Sequence, residues 1–323
     1  MRRRHLLTAA CLSLPLASLI APKAWAAYPD RPITMIVAFP PGGGTDAAAR
    51  TLARFMSTAL GQPVVVNNRA GAGGELGFSE LARARPDGYT IGFINTPNVV
   101  TIPIERRVRY RLENFSLIAN VVDDPGAFFV LADSPFRTLA DLVAHAKAKP
   151  EDVTYGTSGI GSDDHLAALA FERLAGVKLT HVPFAGASAV RNALLGRQIT
   201  IASLNMGEGF ADIQSGAARA LGQMAERRWE VAPDTSTFRE QGFDIVEGSM
   251  RGVAAPAGVP REVLDRLVAA VRQAMESAEF RQLSAQQALP LRFLDPDAYR
   301  TELFGLRTRL QQLWAAHAWR ERD

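Results

Sequence analysis

Two glycine-rich loops contain the residues whose types and spacing suit the binding of an anion. One loop, Phe39 to Asp46, reads FPPGGGTD, and the other, Thr157 to His165, reads TSGIGSDDH. Each follows a predicted strand and precedes a predicted helix, where unpaired backbone N–H groups and the helix dipole favour negative charge. The pattern predicts that the two loops together hold a carboxylate, although a single glycine run also fits an ordinary tight turn.

The candidate ligand-binding residues belong mainly to these two loops. We expect Thr45 to cap the first helix through its hydroxyl, while Asp46, which would repel a carboxylate, turns its side chain aside. Gly43 is expected to let the backbone approach the ligand. His165 fits equally well a hydrogen-bond donor to the ligand and a structural role. The candidates form the set Phe39, Gly43, Gly44, Thr45, Asp46, Thr157, Ser158, Gly161, Ser162, His165, Ala187, Ser188 and Asn205.

Other chemistries find less support in the sequence. Gly71 to Gly77 lacks the third glycine of a dinucleotide fingerprint, because Leu76 occupies that position. A serine hydrolase would use Ser158 with His165, but Ile160 replaces the last glycine of the Gly-x-Ser-x-Gly turn that presents such a nucleophile. The five histidines show no metal-ligand spacing. We therefore expect no catalytic residue, no metal and no cofactor.

The N-terminus has the pattern of a signal peptide. Arg2 to Arg4 are basic, an apolar run follows from Leu6 to Ala21, and Ala24-Trp25-Ala26 supplies the small residues of a cleavage site. The apolar run is shorter than the roughly 20 residues that span a bilayer. We expect cleavage after Ala26, which removes residues 1–26, and export by either the Sec or the twin-arginine route.

Removal of this segment changes the charge of the chain. Of the 36 lysines and arginines, four lie in residues 1–26, whereas none of the 33 acidic residues does. The mature chain is then close to neutral, which gives no support to nucleic-acid binding. Cys11, the single cysteine, leaves with the signal, and its loss suits an oxidising compartment. We expect a periplasmic monomer.

Short β-rich runs alternate with helical patterns, which indicates βαβ units and a largely parallel sheet. Asp123 to Gly126 has the composition of a turn and suits a crossing between domains. The helical patterns from Val263 to Trp319 include no further predicted strand, so we expect them to return to the first sheet. The prediction is an α/β protein with two lobes, each a doubly wound sheet with flanking helices, and a ligand cleft between them. Lobe 1 would comprise 27–125 and 250–323, and lobe 2 would comprise 126–249.

Seven short motifs follow one another along nearly all of the mature chain. They are Tyr28 to Ile33 (YPDRPI), Phe39 to Asp46, Asn68 to Gly74 (NRAGAGG), Pro86 to Thr90 (PDGYT), Gly156 to Leu166, His181 to Phe184 (HVPF) and Ala254 to Pro260 (AAPAGVP). Each motif alone is weak, but the ordered set is specific. In this order the chain resembles the Bug family, whose members are the substrate-binding components of tripartite tricarboxylate transporters.

The resemblance implies a two-lobed, Venus-flytrap periplasmic binding fold without enzymatic activity. Proteins of this family capture organic acids such as di- and tricarboxylates, acidic amino acids or aromatic acids. The loop here at Gly43 to Asp46 would hold a ligand carboxylate, and Ser158 to His165 would supply the facing lobe. The implied partners are a small organic acid and the integral membrane subunits of a transporter. A membrane sensor that receives the loaded protein is the alternative partner.

Several positions of the second lobe and its return crossing differ from the usual family pattern. Ala185 stands where a lysine is common, Ala189 replaces a proline, and Met250-Arg251 stands where a tryptophan is frequent. Arg191 and Arg251 are candidates to replace the missing cation, and the sequence does not decide whether either reaches the cleft. These differences leave the identity of the ligand open.

Overall fold

The computed structural model describes residues 28–319, so the predicted signal segment and Cys11 lie outside the described residues. Strands and helices alternate along this part of the chain. The strands are β1 (Ile33–Val37), β2 (Val64–Asn68), β3 (Thr90–Asn95), β4 (Phe115–Leu131), β5 (Thr154–Thr157), β6 (Thr180–Pro183), β7 (Ile201–Asn205), β8 (Ala218–Gln223), β9 (Gly248–Pro256) and β10 (Leu291–Leu294). The α-helices are α1 (Gly44–Leu60), α2 (Glu75–Ala82), α3 (Asn98–Glu105), α4 (Leu139–Ala148), α5 (Asp163–Ala175), α6 (Ala187–Leu195), α7 (Met206–Gln214), α8 (Arg261–Glu276), α9 (Ala278–Gln286) and α10 (Pro296–Ala316).

The sheet is mixed rather than largely parallel. Its strands follow the order β2-β1-β3-β9-β4-β7-β5-β6, and both β8 and β10 also pair with β4. β1 pairs parallel with β2 and β3, and β5 pairs parallel with β6 and β7. The antiparallel pairs all involve β4 or β9, which pass between these two groups. We call β1–β3 with their helices the first lobe and β5–β7 with theirs the second lobe.

The long strand β4 belongs to both lobes. Through Pro125 it pairs with β9, and from Gly126 onward it pairs with β7 and β8. The turn predicted at Asp123 to Gly126 is therefore wrong, because these residues lie inside a continuous 17-residue strand. Pairing with β9 overrides their turn-forming composition, since Asp124 and Pro125 are in register with the first residues of β9.

The first lobe is packed on both faces of its strands. Successive side chains of a strand point to opposite faces. Ile33, Met35 and Val37 of β1 accordingly lie in a core with α1 and α8, while Ile36 lies in a second core with α2, α3 and α10. Gly61 ends α1 in the left-handed region, at φ 71°, as its position after the last apolar residue predicts.

The second lobe repeats this arrangement. Phe128 and Val130 of β4 lie in a core with α4 and α5, whereas Ala127 and Phe129 lie in a core with α6 and α7. Helices therefore cover both faces of each lobe. This confirms the predicted α/β architecture of two doubly wound lobes.

The C-terminal segment packs against the first lobe. Leu267 of α8 shares a core with Ile33, and Tyr299 of α10 shares a core with Val99 of α3. The segment also contains β10, which pairs antiparallel with β4, so the expectation of helices alone is wrong. Only four residues form this strand, and such a short run between two helices gives little periodicity to detect.

Candidate functional site

A cavity of about 350 Å³ lies between the lobes. Its wall is built from the segments that follow β1, β3, β5, β6 and β7, together with part of β9. The carboxyl ends of parallel strands meet at one edge of a sheet, so loops distant in sequence converge there. Eight of the candidate residues line the cavity: Phe39, Gly43, Gly44, Thr45, Ser158, Ala187, Ser188 and Asn205.

The remaining candidates stabilise the loops instead of forming the wall. Thr157 Oγ1 lies 2.7 Å from His181 Nε2, and Ser162 Oγ donates to the carbonyl of Gly159 at 2.7 Å. Their polar atoms are therefore used within the loop that follows β5. The five candidates that the structure does not bring to the cavity wall are Asp46, Thr157, Gly161, Ser162 and His165.

The start of α1 differs from the predicted cap. The N-cap residue of α1 is Gly43, which has no side chain to cap the helix. The prediction that Thr45 caps α1 is therefore wrong. The Thr45 hydroxyl accepts a hydrogen bond at 2.6 Å from Asn95 Nδ2, which lies at the end of β3. Thr45 thus links two segments of the first lobe at the cavity wall.

The side chain of Asp46 turns away from the cavity, in agreement with the expected orientation. It accepts hydrogen bonds from the Gly42 backbone N–H at 3.0 Å and from Asn68 Nδ2 at 2.9 Å, and it pairs with Arg50 at 2.9 Å. Burial raises the pKa of this carboxyl. The hydrogen bonds from Arg50, Asn68 and Gly42 lower the pKa by more than burial raises it, so the pKa lies below its usual value. Asp46 therefore remains ionised and orders the loop.

His165 has a structural environment. Its ring stacks on that of His181 with centroids 4.2 Å apart, and its Nδ1 accepts the Gly161 backbone N–H at 3.2 Å. Burial, followed by the proximity of His181, lowers the pKa of His165 to about 3. The neutral ring lies outside the cavity wall, so it orders the loop after β5 rather than presenting a positive charge to the cavity.

Ser158 lines the cavity without a histidine partner. Its hydroxyl donates to Asp164 Oδ2 at 2.6 Å, and its backbone N–H donates to the same oxygen at 3.1 Å. His165 Nδ1 is occupied by a backbone N–H of the same loop. The serine–histidine pair that a hydrolase would require is therefore not assembled in this structure.

A buried ionic network lies at the base of the cavity. Of its members, Asn205 was predicted from the sequence as a site residue and Arg251 as a possible cation, but neither of the carboxylates was predicted. Arg251 is only 1% exposed, and it donates to Asp124 Oδ2 at 3.0 Å, to Asn205 Oδ1 at 2.7 Å and to Glu208 Oε1 at 3.0 Å. An arginine inside the apolar run of β9 was the available signal, since a buried charge requires a partner. Arg191 instead pairs with Asp212 at 2.6 Å and does not line the cavity.

The carboxyl groups of this network have shifted pKa values. Burial raises the pKa of Asp124 to about 7, although the nearby Arg251 opposes the shift. Burial likewise raises the pKa of Asp163 to about 6, against the hydrogen bond that Asn205 donates. Both shifts have burial as their main cause, because removal from water disfavours the charged form.

Glu208 connects the second lobe to the first helix of the first lobe. Its Oε1 accepts the backbone N–H of Gly44 at 3.3 Å, which is the first residue of α1. A Cβ atom added to Gly44 would lie 2.4 Å from Arg251 Nη1 and 2.9 Å from Glu208 Oε1. A carboxylate of the protein itself thus approaches the backbone closely at Gly44, while the approach of a ligand to Gly43 stays a prediction.

Two kinds of feature are absent from the described residues 28–319. No group of three or more histidine, cysteine, aspartate or glutamate side chains is arranged to hold a metal ion in this part of the chain. None of the helices described there is long and apolar enough to cross a membrane.

The fold and the cavity define a class, the two-lobed α/β binding proteins of the periplasmic type, in which loops of both lobes enclose a cleft. The family model for the tripartite tricarboxylate transporter family receptor, TctC, matches residues 48–299. The chain therefore belongs to this receptor family, which includes the Bug proteins.

Individual relatives resemble the chain over most of its length. Protein BugT of Bordetella pertussis is 34% identical over 299 residues, which cover 90% of this chain and 91% of BugT. A solved R. palustris protein with adipate has a TM-score of 0.85 and 25% identity, covering 89% of this chain and 97% of that protein. MatC of Rhodopseudomonas palustris with bound malate has a TM-score of 0.82 and 26% identity, covering 88% and 99%.

Proposed function

We propose that this chain is a periplasmic solute-binding protein that captures a small organic acid in the cavity between its lobes. It would deliver the acid to the integral membrane subunits of a tripartite tricarboxylate-type transporter. Membership of the receptor family supports this role, and two structural relatives have the carboxylates malate and adipate bound.

The observation that supports carboxylate binding most directly is the free N-terminus of α6. Ala187 and Ser188, the first residues of α6, line the cavity, and Gly186 caps the helix without a side-chain hydrogen bond. The first turn of α6 contains no acidic residue. Its exposed backbone N–H groups and the helix dipole therefore favour a ligand carboxylate at this point.

The lobe boundaries and the export of the chain belong to the same proposal. We place the lobe exchange at Pro125–Gly126 of β4 and at the start of β9, in keeping with lobes of 27–125, 126–249 and 250–323. Residues 1–26 would be removed on export to the periplasm, and the mature protein would act as a monomer. The intact mass of the exported protein tests the cleavage after Ala26, and a mass that includes Cys11 would contradict it.

A thermal-shift screen followed by calorimetric titration tests the proposed function. The purified mature protein would be screened against mono-, di- and tricarboxylic acids and against amino acids. A ligand at 100 times its dissociation constant stabilises the folded state by about 2.7 kcal/mol, which raises the melting temperature measurably. The screened compound should be recovered unchanged after incubation. The absence of a shift with every acid would contradict carboxylate capture, and turnover would contradict a binding role.

A further inference from the structure

A second and larger cavity lies beside the cavity described above, which is called the first cavity from here on. The second cavity has a volume of about 500 Å³, against about 350 Å³ for the first. In the first lobe its wall consists of residues 38–40, residues 70–74 and Arg106, and in the second lobe it consists of residues 158–160 and 183–186. The second cavity therefore also lies between the lobes.

The two cavities adjoin along residues that line both of them. These shared residues are Phe39, Pro40, Ser158, Ala185 and Gly186. Pro40 of the first lobe and Gly186 of the second lobe lie close together, since a Cβ on Gly186 would be 3.3 Å from Pro40 Cδ. Gly186 is also the N-cap residue of α6. A ligand whose carboxylate binds at α6 is thus placed at the junction, with its other end free to extend into the second cavity.

The wall of the second cavity is mostly apolar. Its larger apolar side chains are Phe39, Ile160 and Phe184, and most of the remaining wall consists of alanine, proline and glycine. Among the described residues of this wall, Ser158 has the one uncharged polar side chain, and its hydroxyl already donates to Asp164 at 2.6 Å. Such a wall favours a hydrocarbon group, because the transfer of apolar surface out of water is favourable.

Arg106 is the one charged residue of this wall within residues 28–319, and its guanidinium is already engaged. Its Nε donates to Glu75 at 3.0 Å, its Nη1 to Glu105 at 2.9 Å and its Nη2 to the carbonyl of Ala72 at 3.0 Å. Burial raises the pKa of Glu105, and even with Glu105 protonated Glu75 balances the guanidinium. The second cavity therefore has no surplus positive charge, and a carboxylate moved into it from water would find no free cation.

We propose that the second cavity is a hydrocarbon subsite, and that the ligand of this protein is an aliphatic monocarboxylate whose chain passes from α6 into this subsite. The inference rests on the proposed function, because the carboxylate at α6 fixes one end of the ligand. A shorter monocarboxylate would leave the apolar wall of the second cavity unused. A dicarboxylate of equal length would place its second charge in an apolar cavity. Both would bind more weakly.

Calorimetric titration with three acids tests this proposal. Butanoate and octanoate differ in chain length, and octanoate and octanedioate have equal length but differ by one carboxylate. We expect octanoate to bind at least tenfold more tightly than either of the other two, because each methylene group that is buried adds favourable free energy.

The other outcomes separate the two proposals. Equal affinity for butanoate and octanoate, or tighter binding of octanedioate, would overturn the hydrocarbon subsite and leave carboxylate capture intact. The same conclusion would follow if none of the three acids bound while another acid of the thermal-shift screen did. A screen in which no acid binds would overturn both proposals.

The substitution Ile160→Asn tests whether the chain occupies the second cavity. Ile160 lines this cavity and does not line the first. Asparagine removes the apolar contact and adds a polar group, so the ratio of the dissociation constants of butanoate and octanoate should fall at least threefold. A purely structural effect of the substitution would weaken both acids equally. An unchanged ratio would place the chain elsewhere.

Val143→Asn is the matched control for this variant. Val143 is also partly buried at the edge of a core, in α4, and it lines neither cavity. The control should preserve the ratio of dissociation constants. If Ile160→Asn does not fold, as judged by circular dichroism, the comparison of the three acids on the unaltered protein still decides the question.

Discussion

At the scale of single residues, neighbouring glycines at the start of α1 have different surroundings. A Cβ on Gly44 would approach Arg251 Nη1 to 2.4 Å, whereas a Cβ on Gly43 would have no neighbour within 4 Å. Arg251 and Glu208 are held by several buried hydrogen bonds and cannot move freely. The requirement for glycine at Gly44 therefore comes from Arg251 and Glu208 of the ionic network, which lie against the start of α1.

This difference predicts the effects of two alanine substitutions. Gly44→Ala should lower the free energy of unfolding by about 1–3 kcal/mol, because the added methyl group displaces Arg251 or the start of α1. It should also weaken ligand binding. Gly43→Ala is the control, with a loss below about 1 kcal/mol at an N-cap position. Urea denaturation measures both variants, and equal losses would show that the predicted contact does not constrain Gly44.

Asp163 predicts a pH dependence of stability. Burial raises its pKa to about 6 in the folded protein, above the value of about 3.9 in an unfolded chain. Between these two values the folded state keeps a proton that the unfolded state loses. Ionisation of Asp163 therefore lowers the free energy of unfolding as pH rises from about 4 through 6. The free energy of unfolding of Asp163→Asn minus that of the unaltered protein should therefore increase by about 1–3 kcal/mol as pH rises from 4.5 to 7.

Urea denaturation at several pH values measures this difference. Asp297→Asn is the control, because its exposed carboxyl group lies in the first turn of α10, away from the ionic network. Its stability difference from the unaltered protein should stay constant between pH 4.5 and 7. A difference for Asp163→Asn that stays flat or falls with pH would mean that the folded protein does not retain the proton.

At the scale of elements, the N-termini of five helices border the cavity, and two of them, α3 and α6, have no acidic residue in the first turn. α1, α5 and α7 contain Asp46, Asp163 with Asp164, and Glu208 at this position, respectively, whereas α6 contains no acid. An acidic residue near a helix N-terminus stabilises the helix and repels an external anion. The composition of the first turn thus leaves the N-termini of α3 and α6 available to a ligand carboxylate.

The substitution Ser188→Asp would give α6 an acidic residue in its first turn, as α1, α5 and α7 have. We expect unchanged or slightly higher stability, by about 0.3–1 kcal/mol, because the new charge is favourable to the helix dipole. Binding of the carboxylate identified in the screen should weaken at least tenfold. Ser188→Asn is the control for side-chain size and should retain most of the affinity. Calorimetry that finds equal affinity for both variants would place the anion elsewhere in the cavity.

The sequence predicted the helices with strong apolar spacing better than the elements shaped by distant contacts. α1 and its end at Gly61 follow from local pattern alone. α7 was not predicted, since its glycines are poor helix formers, yet a Cβ on Gly209 would lie 2.4 Å from the ring of Phe129. The glycines of α7 thus reflect packing against β4, which no local pattern contains.

The candidate site was also predicted only in part. The two glycine-rich loops were found because anion-binding turns have a local composition, and parts of both line the cavity. Arg251 was considered as a cation, but its partner Asp124 was not predicted, because the two residues lie 127 positions apart in the chain. Such a pair becomes recognisable only when β4 and β9 are placed side by side.

At the scale of the whole molecule, β4 and β9 connect the lobes as neighbouring antiparallel strands. Their pairing extends from Phe115 to Pro125 along β4, and β10 adds a further pairing to the same strand. The Arg251–Asp124 pair lies between these two strands, and Glu208 extends the network to α7 of the second lobe. The network therefore stabilises the connection between the lobes as well as the base of the cavity.

Replacement of Arg251 by methionine tests the contribution of this network to the whole fold. Arg251→Met retains an unbranched apolar side chain but leaves Asp124 buried without its cation, so the free energy of unfolding should fall by about 3–5 kcal/mol. Asp124→Asn in the same chain removes the unpaired charge and should recover part of the loss. Urea denaturation followed by circular dichroism would compare the unaltered protein, each single variant and the double variant. A double variant that is no more stable than Arg251→Met would show that Asp124 is not the partner whose charge Arg251 offsets.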